Sequence, residues 1–252
     1  MEKLTVEQLK TLNEFEGRPV LLVAKVGSVN YNLHDETSDQ DFKVYVLPSF
    51  DDLYTGKRFV KSVVSDEVDY TVHDVRDLAH QLKKSNVNFV EVLFSTDLTV
   101  HEDSLHELVS MREEVARMNL PYFYDACFGM LYNKLKVFEK GTGSSNRFVE
   151  QYGYDTKAFM SMYRMMDFLL RYEANEFTSF AEAFCYTEEE REFMLSMKHG
   201  RYSKEEATVL VQEMREKVES KKPVYRSHAY QQETETKMES LLKKLVHEKV
   251  MK

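Results

Sequence analysis

Gly27-Ser28 and, after a gap of ten residues, Asp39-Gln40-Asp41 are the residues of this chain best suited to chemistry. Two carboxylates at i and i+2 on an extended segment point to the same face. From there they can share divalent ions with phosphate oxygens. A turn of small residues lets backbone N–H groups approach a phosphate chain closely. The combination suits phosphoryl or nucleotidyl transfer, in which two ions lie about 3.5–4 Å apart and their ligands must converge. Such a site asks for a third carboxylate from a neighbouring strand, and Val68-Asp69-Tyr70-Thr71-Val72 supplies one. In that β-prone run Asp69 lies on the opposite face from Val68 and Tyr70.

Strands are needed to hold these acids. Val20–Val26 reads as an apolar strand entering the Gly-Ser turn, and residues 27–38 form the loop that follows. A second strand occupies residues 42–47 and stops at Pro48, which cannot continue a ladder. Residues 59–64 read as strand or loop, and Asp66–Val72 carries the third acid. Thr5-Val-Glu-Gln8 fits a capping box, with Val6, Leu9, Leu12 and Phe15 following as an apolar stripe. Asp74 is placed to cap a helix over residues 75–82.

From about residue 102 the strand pattern fades and helical signals follow one another. They cover residues 122–138, a helix from Asp155 to about Tyr172, and two capping boxes at Thr187 and Ser203. An amphipathic segment over residues 231–251 closes the series. Gly141–Asn146 reads as an exposed small-residue loop. The expected fold is α+β: an N-terminal mixed β-sheet with flanking helices over residues 1–100, then an all-helical domain over 101–252.

Gly27-Ser28, Asp39-x-Asp41 and Asp69 resemble the metal-and-nucleotide signature of the DNA polymerase beta nucleotidyltransferase superfamily. More narrowly, Gly27-Ser-Val-Asn-Tyr31 leading to Ser38-Asp-Gln-Asp41 is similar to predicted nucleotidyltransferases of bacteria and their phages. So are Asn86-Val-Asn-Phe-Val-Glu-Val-Leu-Phe-Ser95 and Gly153-Tyr-Asp-Thr-Lys157 with Arg164. Gln40 stands where the superfamily often has an apolar residue, which leaves the acids untouched. The resemblance implies that Asp39, Asp41 and Asp69 are catalytic and hold two Mg²⁺ ions, with Mn²⁺ as the alternative. It also implies that Gly27, Ser28, Ser38, Lys157 and Arg164 bind the nucleotide. The donor would be a nucleoside triphosphate and the acceptor a small molecule, a protein or an RNA end. Two other readings stay open: a nucleotide-binding regulatory module without turnover, and a helical scaffold for a protein partner.

On the helix after Asp155, the residues Phe159, Met162, Tyr163, Met166 and Leu170 form one stripe, expected to face a core. Lys157, Arg164 and Arg171 recur every seven residues on the other side, a line that drifts only about 20° per heptad. For Arg171 the expectation is a solvated residue paired with carboxylates. Phe168 shares that side, so it is not expected to be wholly solvated. Tyr31, His34 and His73 have no role decided by spacing.

The formal charge of −9 argues against a broad grip on duplex nucleic acid, which needs a basic face. No run of eighteen apolar residues is present, so no membrane-spanning helix is expected. The first residues are charged and lack an apolar signal core, and a cytoplasmic location is expected. Cys127 and Cys185 lie in apolar settings and read as buried free thiols of a reducing compartment; no companion ligands suggest zinc.

Overall fold

The computed structural model describes residues 4–36, 38–65 and 68–250, without the side chain of Ser144. Asp66 and Met251, the outer ends of two expected elements, lie outside the described residues. Among the described residues there are six strands: β1 Glu14–Phe15, β2 Arg18–Val26, β3 Asp41–Val46, β4 Val60–Val63, β5 Asp69–Asp74 and β6 Leu98–Val100. The first helices are α1 Val6–Lys10, α2 Phe50–Tyr54, α3 Val75–Lys83, α4 Val87–Val90, α5 Asp103–Ser110 and α6 Arg112–Arg117. After them come α7 Leu120–Val137, α8 Asn146–Tyr152, α9 Thr156–Ala174, α10 Phe180–Phe184, α11 Glu188–Lys198, α12 Lys204–Ser227 and α13 Gln232–Val250. The fold is α+β, as expected. No helix among the described residues is long and apolar enough to cross a membrane.

Two compact units divide the chain. The first is Met1–Asn30, His34–Met118 and Gln231–Lys252; the second is Tyr31–Leu33 and Asn119–Tyr230. The break thus falls at residue 118, where the sequence pattern placed it near 100, and α13 returns to the first unit. There α13 buries Met238, Leu242 and Leu245, and packs on α3, α5 and α6. Lys83 pairs with Glu235, and Lys249 with Glu102 at 2.8 Å.

In the first unit the strands run in the order β1-β2-β3-β5-β4, with β6 added to β2. β3 and β5 are parallel and the other pairs antiparallel. Alternation sorts the residues of this sheet onto two faces. Phe42, Val44, Val46, Tyr70 and Val72 form one core with Phe15, Val20, Val23 and Leu9. The other face carries Asp41, Lys43 and Tyr45 beside Asp69, Thr71 and His73. The His73 ring stacks on Tyr45 at 5.6 Å and meets the edge of Phe89 of α4 at 5.4 Å.

Several elements are shorter or more buried than expected. The opening helix ends at Lys10 with Thr11 as its C-cap, whose N–H and hydroxyl both donate to the Glu7 carbonyl. Phe15 therefore sits in a strand, and Glu16-Gly17, both with positive φ, turn β1 into β2 as a two-residue hairpin loop. Gly141–Asn146 is exposed at Thr142, Gly143 and Asn146, as expected, but not throughout. Gly141 and Ser145 are buried, and a capping box from Thr142 to Ser145 leads into α8. Cys127 is buried, and burial pushes its thiol up, but Cys185 is exposed.

In the second unit α9 is the central helix, packed by α7, α8, α10, α11 and α12. Its apolar residues go nearly all the way round, the pattern of a core helix. Phe159, Met162 and Met166 are buried as expected, whereas Tyr163 and Leu170 are half-buried. Phe168 packs against Phe123, Phe180 and Phe184, so the side carrying Arg164 is core as well.

His73 yields a measurable consequence. Burial, followed by the Lys43 charge, lowers its pKa to about 4. An unfolded chain binds that proton at about 6.5. The stabilisation is therefore complete above pH 6.5 and is lost as the pH falls from there toward 4. Its size is of order 1–3 kcal/mol once the ring's partial exposure is discounted. Denaturant unfolding of wild type and His73→Phe between pH 4 and 7 should give a shallower slope for the variant; equal slopes would exclude His73 as the source.

Candidate functional site

Three strand ends meet in register. Val26, the last residue of β2, pairs with Asp41, the first of β3, and Asp41 pairs with Asp69, the first of β5. Neighbours in register share a face, so the two carboxylates project from the same side of the sheet. The Asp69 N–H donates to the Gln40 carbonyl at 2.9 Å, and the Asp69 carboxylate accepts the Ser65 N–H at 3.0 Å. Directly after Val26 comes Gly27, with φ +84°, a conformation that favours glycine. A Cβ here would stand 3.0 Å from Asp41 Oδ2. The missing side chain is what lets the backbone turn beside the acid.

Gly27–Val29 forms a single 3-10 turn that includes Ser28. Both of its ends are tied down. The Gly27 N–H donates to Glu91 Oε2 at 3.3 Å. At the other end, Asn30 donates its N–H to the Gly27 carbonyl at 3.0 Å and its side-chain amide to the Lys25 carbonyl at 3.0 Å. Its side-chain oxygen accepts the Thr96 N–H at 3.2 Å. Ser95 adds a hydroxyl bond to the Lys25 carbonyl at 2.6 Å. Glu91, only 5% exposed, belongs to the 3-10 turn Glu91–Phe94.

Lys43 supplies the counter-charge. It lies two residues beyond Asp41 on the same face of β3. Its ammonium donates to the Asn88 carbonyl and sits 4.7 Å from the Phe89 ring centroid. Burial lowers its pKa, while Glu91 and then Asp41 pull it back up. The sequence reading missed Lys43, Glu91 and Asn30. The available signals were the i+2 spacing of Lys43 from Asp41, and an acid in the segment 86–95 quoted above only for its resemblance.

The remaining expected residues are placed as follows. Ser38 lies in the loop ahead of β3, where its hydroxyl donates to Asp35 Oδ1 at 3.0 Å and accepts the Asp35 N–H at 3.0 Å. Asp39 is exposed just ahead of β3, and His34 is exposed in the same loop. Asp41 and Asp69 are brought side by side. Among the described residues, however, no three or more His, Cys, Asp or Glu side chains are gathered as a ready metal site.

Arg164 and Lys157 belong to the second unit. Arg164 is 8% exposed, and its guanidinium lies 4.0 Å from the centroid of the Tyr31 ring. Its Nη1 is buried with no hydrogen-bond partner among the described residues. Lys157 is half-buried in the first turn of α9. Lys134 is exposed; desolvation lowers its pKa, Asp155 opposes this, and Lys157 and Arg164 lower it further. Arg171 behaves differently. It pairs with Glu190 at 3.5 Å and Asp167 at 3.9 Å, and donates to the carbonyls of Glu182 and Cys185. The loop residue Asn32 donates to the Tyr186 carbonyl at 3.1 Å and to Glu188 at 2.9 Å.

Against this geometry, the profile of the RNA repair pathway DNA polymerase beta family (RlaP) matches residues 1–247. The chain belongs to this family. The match spans the sheet, the Gly-Ser turn and the helices of the second unit, so the resemblance read from Gly27, Ser28, Asp39, Asp41 and Asp69 holds at the level of a polymerase beta-type nucleotidyltransferase family. No curated protein matches the chain. The polymerase beta superfamily typically uses divalent metals. The donor chemistry on β3 and β5 suits them, since carboxylate oxygens are the ligands that Mg²⁺ and Mn²⁺ prefer. Mg²⁺ commonly takes one or two carboxylates and completes its shell with water and substrate phosphates. A side-by-side pair is therefore a sufficient protein contribution to begin with.

Gly27→Ala tests the turn. A side chain at positive φ costs about 1–2 kcal/mol, and this one would also press on Asp41. The expected outcome is a lower unfolding midpoint and a reduced affinity for divalent ions, read by Mn²⁺ titration. Unchanged ion affinity would show that Asp41 orientation does not depend on the missing Cβ.

Proposed function

We propose that this member of the RNA repair pathway DNA polymerase beta family is a metal-dependent nucleotidyltransferase. It would move a nucleoside monophosphate from a nucleoside triphosphate to an RNA end, with release of pyrophosphate. The observation that carries this reading is the register Val26–Asp41–Asp69, with Gly27 turning beside the Asp41 carboxylate. The family description favours RNA over a small molecule or a protein as acceptor. The net charge of −9 favours a strand end over a long duplex.

In this reaction an acceptor hydroxyl oxygen bonds to the α-phosphorus. The bond from that phosphorus to the oxygen bridging α and β breaks, and pyrophosphate leaves with the electron pair. The hydroxyl proton passes to Asp69. Asp39 and Asp41 would hold two Mg²⁺ ions or Mn²⁺, and Asp69 would bind one of them. Bound there, the ions would supply neutralisation of phosphate charge. The Gly27–Ser28 turn would receive the β and γ phosphates, with the Ser38 hydroxyl as a further contact. Lys157 and Arg164 would bind phosphate on the second unit. For Arg164 the support is physical: a buried guanidinium with an unpartnered Nη1 is costly unless an anion completes it. Most of the rate enhancement would come from positioning and charge.

The test is incubation with labelled nucleoside triphosphates, Mg²⁺ or Mn²⁺, and RNA with defined 5′ and 3′ ends, beside small-molecule and protein acceptors. Label appearing on RNA is expected; label on another acceptor would redirect the acceptor class, and none at all with any acceptor would overturn the reading. Asp41→Asn is nearly isosteric and should abolish transfer with the fold intact. Full turnover by that variant would remove Asp41 from the chemistry.

A separate outcome is expected for Arg164→Met, which keeps much of the side-chain volume against Tyr31. The unfolding midpoint should stay within a few degrees of wild type or rise, because a buried unpaired charge is replaced by an apolar chain. Nucleotide or RNA affinity should fall roughly ten- to a hundredfold, the worth of one charge-assisted bond to phosphate. Unchanged affinities for both ligands would make Arg164 a packing residue.

A further inference from the structure

The Gly-Ser turn is anchored from within the protein. Gly27 is the first residue of that turn, yet its N–H is aimed at a carboxylate, Glu91 Oε2, 3.3 Å away and almost fully buried. A buried carboxylate is retained at a cost and needs compensation. Here part of it comes from the Gly27 N–H and part from the Lys43 charge, which Glu91 stabilises more than Asp41 does. The same residue 27 lies against Asp41, since a Cβ on it would stand 3.0 Å from Oδ2. Any rotation of this peptide would therefore move the backbone against the acid.

We propose that Glu91 is the positioning residue of the phosphate-binding turn. It takes the Gly27 N–H inward, fixes the peptide in its positive-φ conformation, and leaves a polyphosphate to be met by the N–H groups and hydroxyl that begin at Ser28. Gly27 then serves by lacking a side chain and by being held, rather than by donating to phosphate. Asn30 works at the other end of the turn, joined to Lys25 and Thr96. The segment that follows α4 is thus a brace: Glu91, Ser95 and Thr96 each bond to the backbone or side chains of residues 25–30. This inference rests on the nucleotidyl-transfer reading for the identity of the ligand, but not for the anchor itself.

The experiment uses the full chain and three variants. Glu91→Ala removes the acceptor. Glu91→Asp keeps the charge but shortens its reach by one methylene. Glu91→Gln keeps the acceptor and removes the charge. Exchange of the Gly27 amide is followed by NMR in ligand-free protein, and a non-hydrolysable nucleoside triphosphate with Mg²⁺ is titrated into each. In the alanine and aspartate variants the Gly27 amide should exchange at least about tenfold faster, and the nucleotide should bind about tenfold more weakly, in line with one lost hydrogen bond. Glutamine should recover most of both.

Unchanged exchange in the alanine or aspartate variant overturns the anchor. Unchanged nucleotide affinity alongside faster exchange overturns its role in binding. A glutamine variant as impaired as alanine, at wild-type exchange, overturns positioning in favour of direct use of the carboxylate charge. If alanine does not fold, the aspartate and glutamine pair decides. If wild type binds no nucleoside triphosphate, the proposed function fails, while the exchange rates still decide the anchor.

Discussion

Two carboxylates on adjacent parallel strands repel each other, and the end of the sheet is arranged around that repulsion. Neighbouring strands lie about 4.8 Å apart, so like charges carried side by side on them are unfavourable. Asp41 and Asp69 are held in that relation by the β3–β5 ladder, which core packing on the opposite face fixes. Slipping the register by one residue would relieve the charges, but it would turn Phe42, Val44 and Val46 out of the core. The apolar face thus imposes the crowding of the acidic face. Lys43 offsets part of it and does so without leaving the sheet.

Much of this arrangement was legible in the amino-acid pattern. Strand alternation was enough to place Asp69 opposite Tyr70, and the capping boxes at Thr5, Thr187 and Ser203 form as the residues indicate. Each of these depends on local chemistry within a few residues. The brace on the Gly-Ser turn was not legible. Glu91 lies 64 residues from Gly27 in sequence, and it holds the turn through a backbone N–H, which carries no residue signature. Lys43 was open to inference but reads equally as an ordinary charged residue on a half-exposed strand. Cys185 misled because its apolar neighbours Phe184 and Tyr186 are buried while its own side chain is not.

The central helix α9 shows a different limit. Its seven-residue basic line looks like a solvated face when only one apolar stripe is considered. Phe168 was the warning, and the second unit resolves it by packing aromatic rings around most of the helix. Arg171 escapes burial cost through two carboxylates and two carbonyls. Arg164, one heptad earlier, receives aromatic faces instead: Tyr31 at 4.0 Å and Phe184 at 5.8 Å. A ring face compensates a desolvated guanidinium by about 2 kcal/mol or more, against a desolvation cost of several kcal/mol. Equal spacing on one helix thus yields one cation paired with carboxylates and one packed on rings, each keeping a buried Nη1 without a hydrogen-bond partner among the described residues.

Each unit therefore carries an electrostatic imbalance of its own, and the two have opposite signs. On the sheet the acids are concentrated: Asp41 and Glu91 both act on Lys43, and Asp69 lies beside Asp41. In the helical unit the imbalance is positive, around Arg164 with Lys134 and Lys157 beside it. Carboxylates are relieved by cations and a guanidinium by an anion, so each unit favours the opposite kind of partner. On the proposed reading, the stability that the ligand-free sheet gives up at Asp41 and Asp69 is returned by metal ions, and that given up around Arg164 by a phosphate group.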